Sequence, residues 1–245
     1  MIGDACPSSK CADCGFRSAV FASLSSGQLE MLTNGKTFNV AKKGVTICKQ
    51  GDEIKAFIFL RVGLAKLVRN TSDGKEQIVG IATPNDFVGL LSLFSSKIYQ
   101  YSIIAIEDCE YCSVDYGMVM DLIRSNGVFA QSLLEKISHV SDVLINTRLD
   151  LDLRQLRGRV AFILCYFANE VYHSAKFNLP ISRKEIAELI DMRVENVVRI
   201  LSELRRDNII RIEGTTIDIL DPEKLKWIKV DRKSTRLNSS HGKLS

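Results

Sequence analysis

The feature that most constrains this chain is a change of period near its middle. Between Lys36 and Val114 the apolar residues come in short runs rich in β-branched and aromatic side chains: TFNV, GVTICK, AFIFLRV, AKLVRN, EQIVGIA, DFVGLL, YSIIAI and EYCSV. Gly44, Gly51, Gly63, Gly74 and Gly89 stand between these runs or at their ends, where turns need positive φ or a missing Cβ. Many short strands at near-regular spacing predict an all-β barrel or sandwich for this stretch. After Tyr116 the apolar spacing becomes helical. The chain therefore reads as an α+β protein in which strands come first and helices follow.

Within the helical part, Leu133, Ile137, Val140 and Leu144 recur at steps of four, three and four, with Leu151 seven residues further on. That is a heptad seam on one long helix. A seam that follows a complete β-domain has little of its own chain left to face, so it is expected to be a homodimer contact. The alternative is a helix packed on its own β-domain, as Leu134 and Ile145 on its flank can do in either case. Arg157 to Tyr172, with VAFILCYF inside it, reads as the first core helix of a C-terminal domain. The expected organisation is a cysteine-bearing leader (1–15), a β-domain (16–125) opening with a helix over Phe16–Leu32, a dimerisation helix (126–151), a C-terminal domain (152–230) and a tail (231–245). The tail is polar and aperiodic, and RKSTRLNSSH resembles translated sequencing adapter. It is expected to be non-native or disordered.

Bulk charge says little about partners. Of the net +4, the tail supplies +3 through Arg232, Lys233, Arg236 and Lys243 against Asp231, leaving +1 for the rest. No run of about 18 apolar residues predicts a membrane span, and MIGDACPSSKCADC lacks the basic start and apolar stretch of a secretory signal. The expected compartment is the cytoplasm. No Gly-rich phosphate loop or metalloprotease motif is present, so an enzyme is the least supported class.

The strongest local text is ISRKEIAELIDMRVENVVRIL, residues 181–201. Ser182 and Glu185 have capping-box spacing, in which the hydroxyl and the carboxylate each satisfy an orphan backbone N–H. Ile186, Leu189 and Ile190 make a buried face, Asp191-Met192-Arg193 a turn, and Val197, Ile200, Leu201 and Leu204 the buried face of a second helix running from Val194 to about Leu204. Val194, Glu195, Val198 and Arg199 fall on the opposite side. An arginine there can donate two hydrogen bonds to guanine, a glutamate can accept from cytosine, and valines can touch thymine methyls. Ser182 and Arg183 are suited to phosphate, and Arg193 is a further candidate DNA contact. IIRIEGTTIDI then alternates around Glu213-Gly214 as a hairpin would. Capping box, tight turn, exposed Glu/Arg face and hairpin, in that order, predict a winged helix-turn-helix that binds double-stranded DNA.

These residues resemble the Crp/Fnr family of bacterial transcription regulators. KKGVTICKQGD and VGLAKLV are similar to its early β-roll motifs, and TPNDFVGLLSLF to the turn before its ligand cassette. The resemblance implies a cyclic-nucleotide-binding-type β-roll, a long dimerisation helix and a winged helix. It also implies a homodimer on a palindromic site that contacts RNA polymerase. Val194-Glu195 looks more like the Fnr-like branch than the cyclic-AMP receptor branch, which has Arg before the Glu. Asp191 replaces the usual turn glycine, and Val198 the Fnr-type serine.

The cassette departs further. The family's cyclic-nucleotide binders carry a Glu for the ribose and an Arg for the phosphate. Here Leu90 stands in the Glu position, no arginine occurs between Arg69 and Arg124, and Lys97 is the cassette's only cation. A phosphate without a bidentate donor loses its main charge-assisted contact. We therefore expect no cyclic-AMP binding, with the cavity filled by Phe87, Leu91, Phe94 and Tyr101 or holding another effector. Cys6, Cys11 and Cys14 follow C-x4-C-x2-C spacing, and Cys112 lies downstream. Such thiolates can hold an iron–sulfur cluster or zinc, or can stay unligated. The resemblance to Fnr-type sensors implies three N-terminal cysteines plus one β-roll cysteine as cluster ligands. Cys109 is an alternative to Cys112, though the odd separation turns it to the other strand face. Cys48 and Cys165 lie in apolar runs and read as core.

Overall fold

A computed structural model describes residues 10–14, 19–71, 74 and 76–230. Cys6 and the tail from 231 onward lie outside the described residues, as does Phe16. The described chain falls into two compact units, one of residues up to 146 together with 180–189, the other of 147–179 with 190–230.

The first unit opens with a 3₁₀ turn at Ala19–Phe21 and helix α1 (Ser26–Gly35). The single helix expected over Phe16–Leu32 is thus broken at Leu24-Ser25. Ser25 caps α1 in a capping box with Gln28, the hydroxyl accepting from the Gln28 N–H and the Gln28 side chain from the Ser25 N–H. Eight strands follow: β1 (Lys36–Ala41), β2 (Thr46–Cys48), β3 (Ala56–Val62), β4 (Ala65–Asn70), β5 (Glu76–Ala82), β6 (Phe87–Val88), β7 (Ser102–Ala105) and β8 (Cys109–Asp115). They form two four-stranded antiparallel sheets, ordered β1-β8-β3-β6 and β2-β7-β4-β5. Every apolar run named above contributes a strand, but DFVGLL yields only two strand residues before turning into helix α2 (Leu90–Ser95). All five turn glycines take positive φ, between 78° and 92°. At Gly63 a Cβ would also sit 2.2 Å from the Asp108 carbonyl oxygen, so glycine is required twice over.

Helix α3 (Tyr116–Ser125) is capped by the Asp115 carboxylate, and the long helix α4 (Gly127–Leu153) by the Asn126 side chain, which accepts from the Phe129 N–H at 3.0 Å. Phe129, fully buried, stacks on Phe21 at 6.1 Å between ring centroids. Phe21 in turn meets Phe87, and Phe87 meets Phe57 and Phe59 at 4.8 and 5.0 Å. Aromatic pairs of this kind contribute about 0.5–1.5 kcal/mol each beyond their burial. They bind the start of α4 to the β-domain.

The faces of α4 differ from the expected assignment. Leu133 is 2 % exposed and belongs to the β-domain core, with Ile137 packed against it, whereas Leu144 of the same seam is 39 % exposed. Leu134 and Ile145, expected to pack inward, are 63 % and 58 % exposed. With Leu149 and Leu153, also exposed, they form an apolar stripe about one residue out of phase with the Leu133 seam. Both stripes have helical spacing, and the β-domain covers only the N-terminal part of the Leu133 seam.

In the second unit, helix α5 (Leu156–Tyr166) buries Val160, Ala161 and Leu164 completely, and ends in a π-helical turn at Phe167–Val171 rather than running on to Tyr172. Strand β9 (Lys176–Asn178) joins the wing strands described below, and was not legible as a strand in the short run KFN. Helix α6 (Arg183–Leu189), which clusters with the first unit, has the predicted capping box: the Ser182 N–H donates to Glu185 Oε2 at 2.7 Å, and the Glu185 N–H to Ser182 Oγ at 3.2 Å.

Candidate nucleic-acid interface

Helix α7 (Val194–Arg206) is strongly two-faced. Val197 and Leu204 are fully buried, and Ile200 and Leu201 nearly so. Val194, Glu195, Val198 and Arg199 are exposed on the other side, and Arg193 is exposed at the N-cap. The turn that starts this helix is held by two features. Asp191 takes φ +51, the left-handed conformation that the family's glycine would supply and that Asp tolerates better than most residues. The buried Arg159 donates to the Ile190 and Asp191 carbonyls at 3.0 and 3.4 Å, satisfying acceptors that a helix end leaves open.

Arg199 and Glu195 do not pair. The Arg199 Nη1 donates instead to Glu203 Oε1, one turn toward the C-terminus, at 2.5 Å. This partner was missed from sequence because glutamates stand four residues away on both sides. Arg199, Glu203, Arg205 and Arg206 border an open concavity at the C-terminal half of α7, with Ser202 and Asn208. After it, β10 (Ile210–Glu213) and β11 (Thr216–Ile219) form a hairpin whose two-residue loop is Gly214-Thr215, one position later than expected. Gly214 takes φ +61, the sign the first loop residue of a tight hairpin needs. β9 pairs with β11 to complete a three-stranded sheet, and helix α8 (Pro222–Val230) ends the described chain. Ser182 and Arg183 lie at the start of α6 in the first unit. Part of their polar capacity is spent locally, since the Ser182 hydroxyl and backbone N–H already serve the capping box.

The cassette lacks the acid and the arginine expected of a cyclic-AMP site. Leu90, in the position of the ribose-binding acid, is 3 % exposed and part of the β-domain core. The ring of Tyr99 lies 2.8 Å from where a Cβ on Gly89 would be, and Gly89 has φ +84. Tyr99 is buried, which together with a hydrogen bond to Cys48 pushes its hydroxyl pKa up. Phe94, expected to fill this space, is 45 % exposed; Tyr99 packs inward in its stead. Titration with cyclic AMP in a calorimeter is expected to give no heat beyond dilution. Micromolar binding would contradict this reading.

Cys11, Cys14 and Cys112 line one small apolar cavity of about 50 Å³, together with Leu29, Leu32 and Phe59 and the cations Lys36 and Arg61. Cys11 is fixed there by its backbone N–H, which donates to Thr33 Oγ1 on α1 at 2.9 Å. Cys109 is not part of the lining. Its thiol donates to the Leu64 carbonyl, and burial, aided by Glu107 and Asp108, pushes its pKa up to about 11. Among the described residues no three His, Cys, Asp or Glu side chains stand close enough to hold a metal ion.

A β-roll sensor domain followed by a long helix and a winged helix defines a class, that of ligand- or signal-controlled transcription regulators. Residues 38–126 match the cyclic nucleotide-binding domain family and residues 158–228 the Crp-like helix-turn-helix domain family. A probable transcriptional activator of Rhizobium leguminosarum bv. viciae is 30 % identical over 209 residues, which is 83 % of this chain and 86 % of that protein. The transcriptional activator protein FnrL of Cereibacter sphaeroides is 28 % identical over 214 residues, 84 % of this chain and 85 % of that one. The structure of FixK2 from Bradyrhizobium japonicum superposes with a TM-score of 0.72 at 20 % identity, covering 81 % of this chain and 98 % of that chain. The chain belongs to the Crp/Fnr family of transcription regulators, on its Fnr-like side.

Proposed function

We propose that the protein is a sequence-specific DNA-binding transcription regulator that acts as a homodimer on a palindromic site and does not respond to cyclic AMP. The observation that carries this reading is the exposed face of α7, where Val194, Glu195, Val198 and Arg199 stand clear of a fully buried opposite face. In the proposed complex Arg199 reads a guanine, Glu195 a cytosine, and the two valines thymine methyls. Arg193, Ser182 and Arg183 meet phosphates and set the register. RNA polymerase is the proposed protein partner, and the cytoplasm the proposed compartment. No helix among the described residues is long and apolar enough to cross a membrane.

The dimer is proposed to form through the exposed α4 stripe of Leu134, Ile145, Leu149 and Leu153. Ile145→Asp is expected to turn a dimer into a monomer in sedimentation velocity at micromolar concentration, with an unchanged far-ultraviolet spectrum. Leu133→Ala is expected instead to lower stability and leave the dimer intact. A wild-type monomer, or loss of the dimer only on changing Leu133, would contradict the assignment. DNA binding itself is tested by fluorescence anisotropy with labelled duplexes in excess unlabelled competitor. Binding that any competitor removes equally would overturn the reading.

A second reading concerns the cysteines, supported by the convergence of Cys11, Cys14 and Cys112 on one cavity. With Cys6, these thiols are the candidate ligands for an iron–sulfur cluster. Such a cluster would supply oxygen sensitivity. Anaerobically purified protein that shows no visible chromophore, and DNA binding that air leaves unchanged, would remove this reading.

A further inference from the structure

On helix α7 Arg199 has a carboxylate one turn away in each direction, and only the C-terminal one holds it. The Arg199 Nη1 to Glu203 Oε1 distance is 2.5 Å. The two ends of this pair are unequally covered: the Glu203 side chain is 23 % exposed, and that of Arg199 is 56 % exposed. Helical side chains lean toward the N-terminus, so Glu203 reaches back over the turn that carries Arg199. Two neighbouring polar groups point elsewhere. The Ser202 hydroxyl donates to the Val198 carbonyl at 2.9 Å, and Arg206 Nε lies 3.9 Å from Asp207. The Glu203 carboxylate bonds to Arg199.

We propose that Glu203 is the positioning residue for the base-reading Arg199, an inference that rests on α7 being the DNA-reading helix. The guanidinium has five N–H donors in one plane. One on Glu203 leaves enough for the two bonds a guanine edge accepts, while the carboxylate fixes which way the plane faces. A free arginine would have to give up its rotamer freedom on binding; one already held gives up less. The same carboxylate repels phosphate, so it weakens binding to arbitrary DNA. Glu203 thus raises selectivity from both sides: it favours the correct base and disfavours unspecific contact.

The test uses the full-length protein and a duplex enriched from a randomised pool by the wild type. Three probes are compared by anisotropy: that duplex, the same duplex with the guanine facing Arg199 replaced, and an unrelated duplex. Glu203→Ala is expected to lower affinity for the first by roughly 2- to 12-fold, the cost of ordering one flexible side chain, while affinity for the unrelated duplex holds or rises. Glu203→Gln keeps an acceptor and is expected to retain most of the selectivity. In an Arg199→Ala background, Glu203→Ala is expected to change discrimination between the first two probes no further. Equal losses on all three probes, or additive losses with Arg199→Ala, would overturn the role of Glu203 while leaving DNA recognition in place. A wild type that binds all three duplexes equally would overturn the DNA-reading assignment and the inference with it. Far-ultraviolet spectra of each variant confirm that α7 is intact.

Discussion

Leu204→Ala is expected to destabilise the second unit by about 2–5 kcal/mol, the range for truncating a fully buried leucine. Leu204 is 0 % exposed near the end of α7, in a row with Val197, Ile200 and Leu201. The transfer cost of its lost methyl groups adds to that of the cavity left behind, since well-packed surroundings relax only in part. For a unit of this size each kcal/mol lowers Tm by roughly 4–8 °C. Calorimetry should show the loss in the transition of the C-terminal unit. DNA affinity should fall by a common factor on every sequence, because what is lost is the folded population of the reading helix. An unchanged Tm would mean that α7 is not anchored as described.

Arg199→Ala should behave in the opposite way. Arg199 is exposed, and its pair with Glu203 is an i,i+4 surface contact of the kind worth at most about 0.5 kcal/mol to folding. Tm is therefore expected to move little. Affinity for the enriched duplex is expected to fall by about 1–3 kcal/mol, with discrimination lost at one base pair in each half-site. Were the loss equal on all duplexes, and matched by a shallower salt dependence, Arg199 would be a phosphate contact instead. Together the two variants separate what holds the helix from what the helix reads.

The contrast also shows which parts of the molecule could be read in the chain. The helix-turn-helix was legible because its signals are local. Ser182 and Glu185 satisfy each other across three residues, Asp191 occupies the left-handed turn, and Gly214 opens the hairpin. Each has a signal in backbone hydrogen bonding or φ within a few residues, and the distant Arg159 reinforces the turn. The eight strands were legible for a similar reason, since each glycine-bounded run carries its own turn.

What failed depended on distant neighbours. Leu133 and Leu134 are adjacent leucines on α4, and either could have faced the β-domain. The choice is made by the aromatic cluster of Phe21, Phe87 and Phe129, assembled from residues more than a hundred positions apart. Phe94 and Tyr99 were exchanged likewise, because the turn of α2 and the positive φ of Gly89 place Tyr99 inward. Glu203 was invisible because spacing alone makes Glu195 an equal candidate. Arg199 is exposed on α7, as its spacing predicts, and its partner had to be seen.

Enrichment of duplexes from a randomised pool by the full-length protein, followed by sequencing, tests the central claim most directly. The account predicts an inverted repeat whose half-sites lie one helical turn or a multiple of it apart, about 10–10.5 base pairs per turn. It also predicts that Arg199→Ala relaxes one symmetric pair of positions within that repeat. A pool that yields no repeated sequence, or a repeat that Arg199→Ala leaves unaltered, would contradict it.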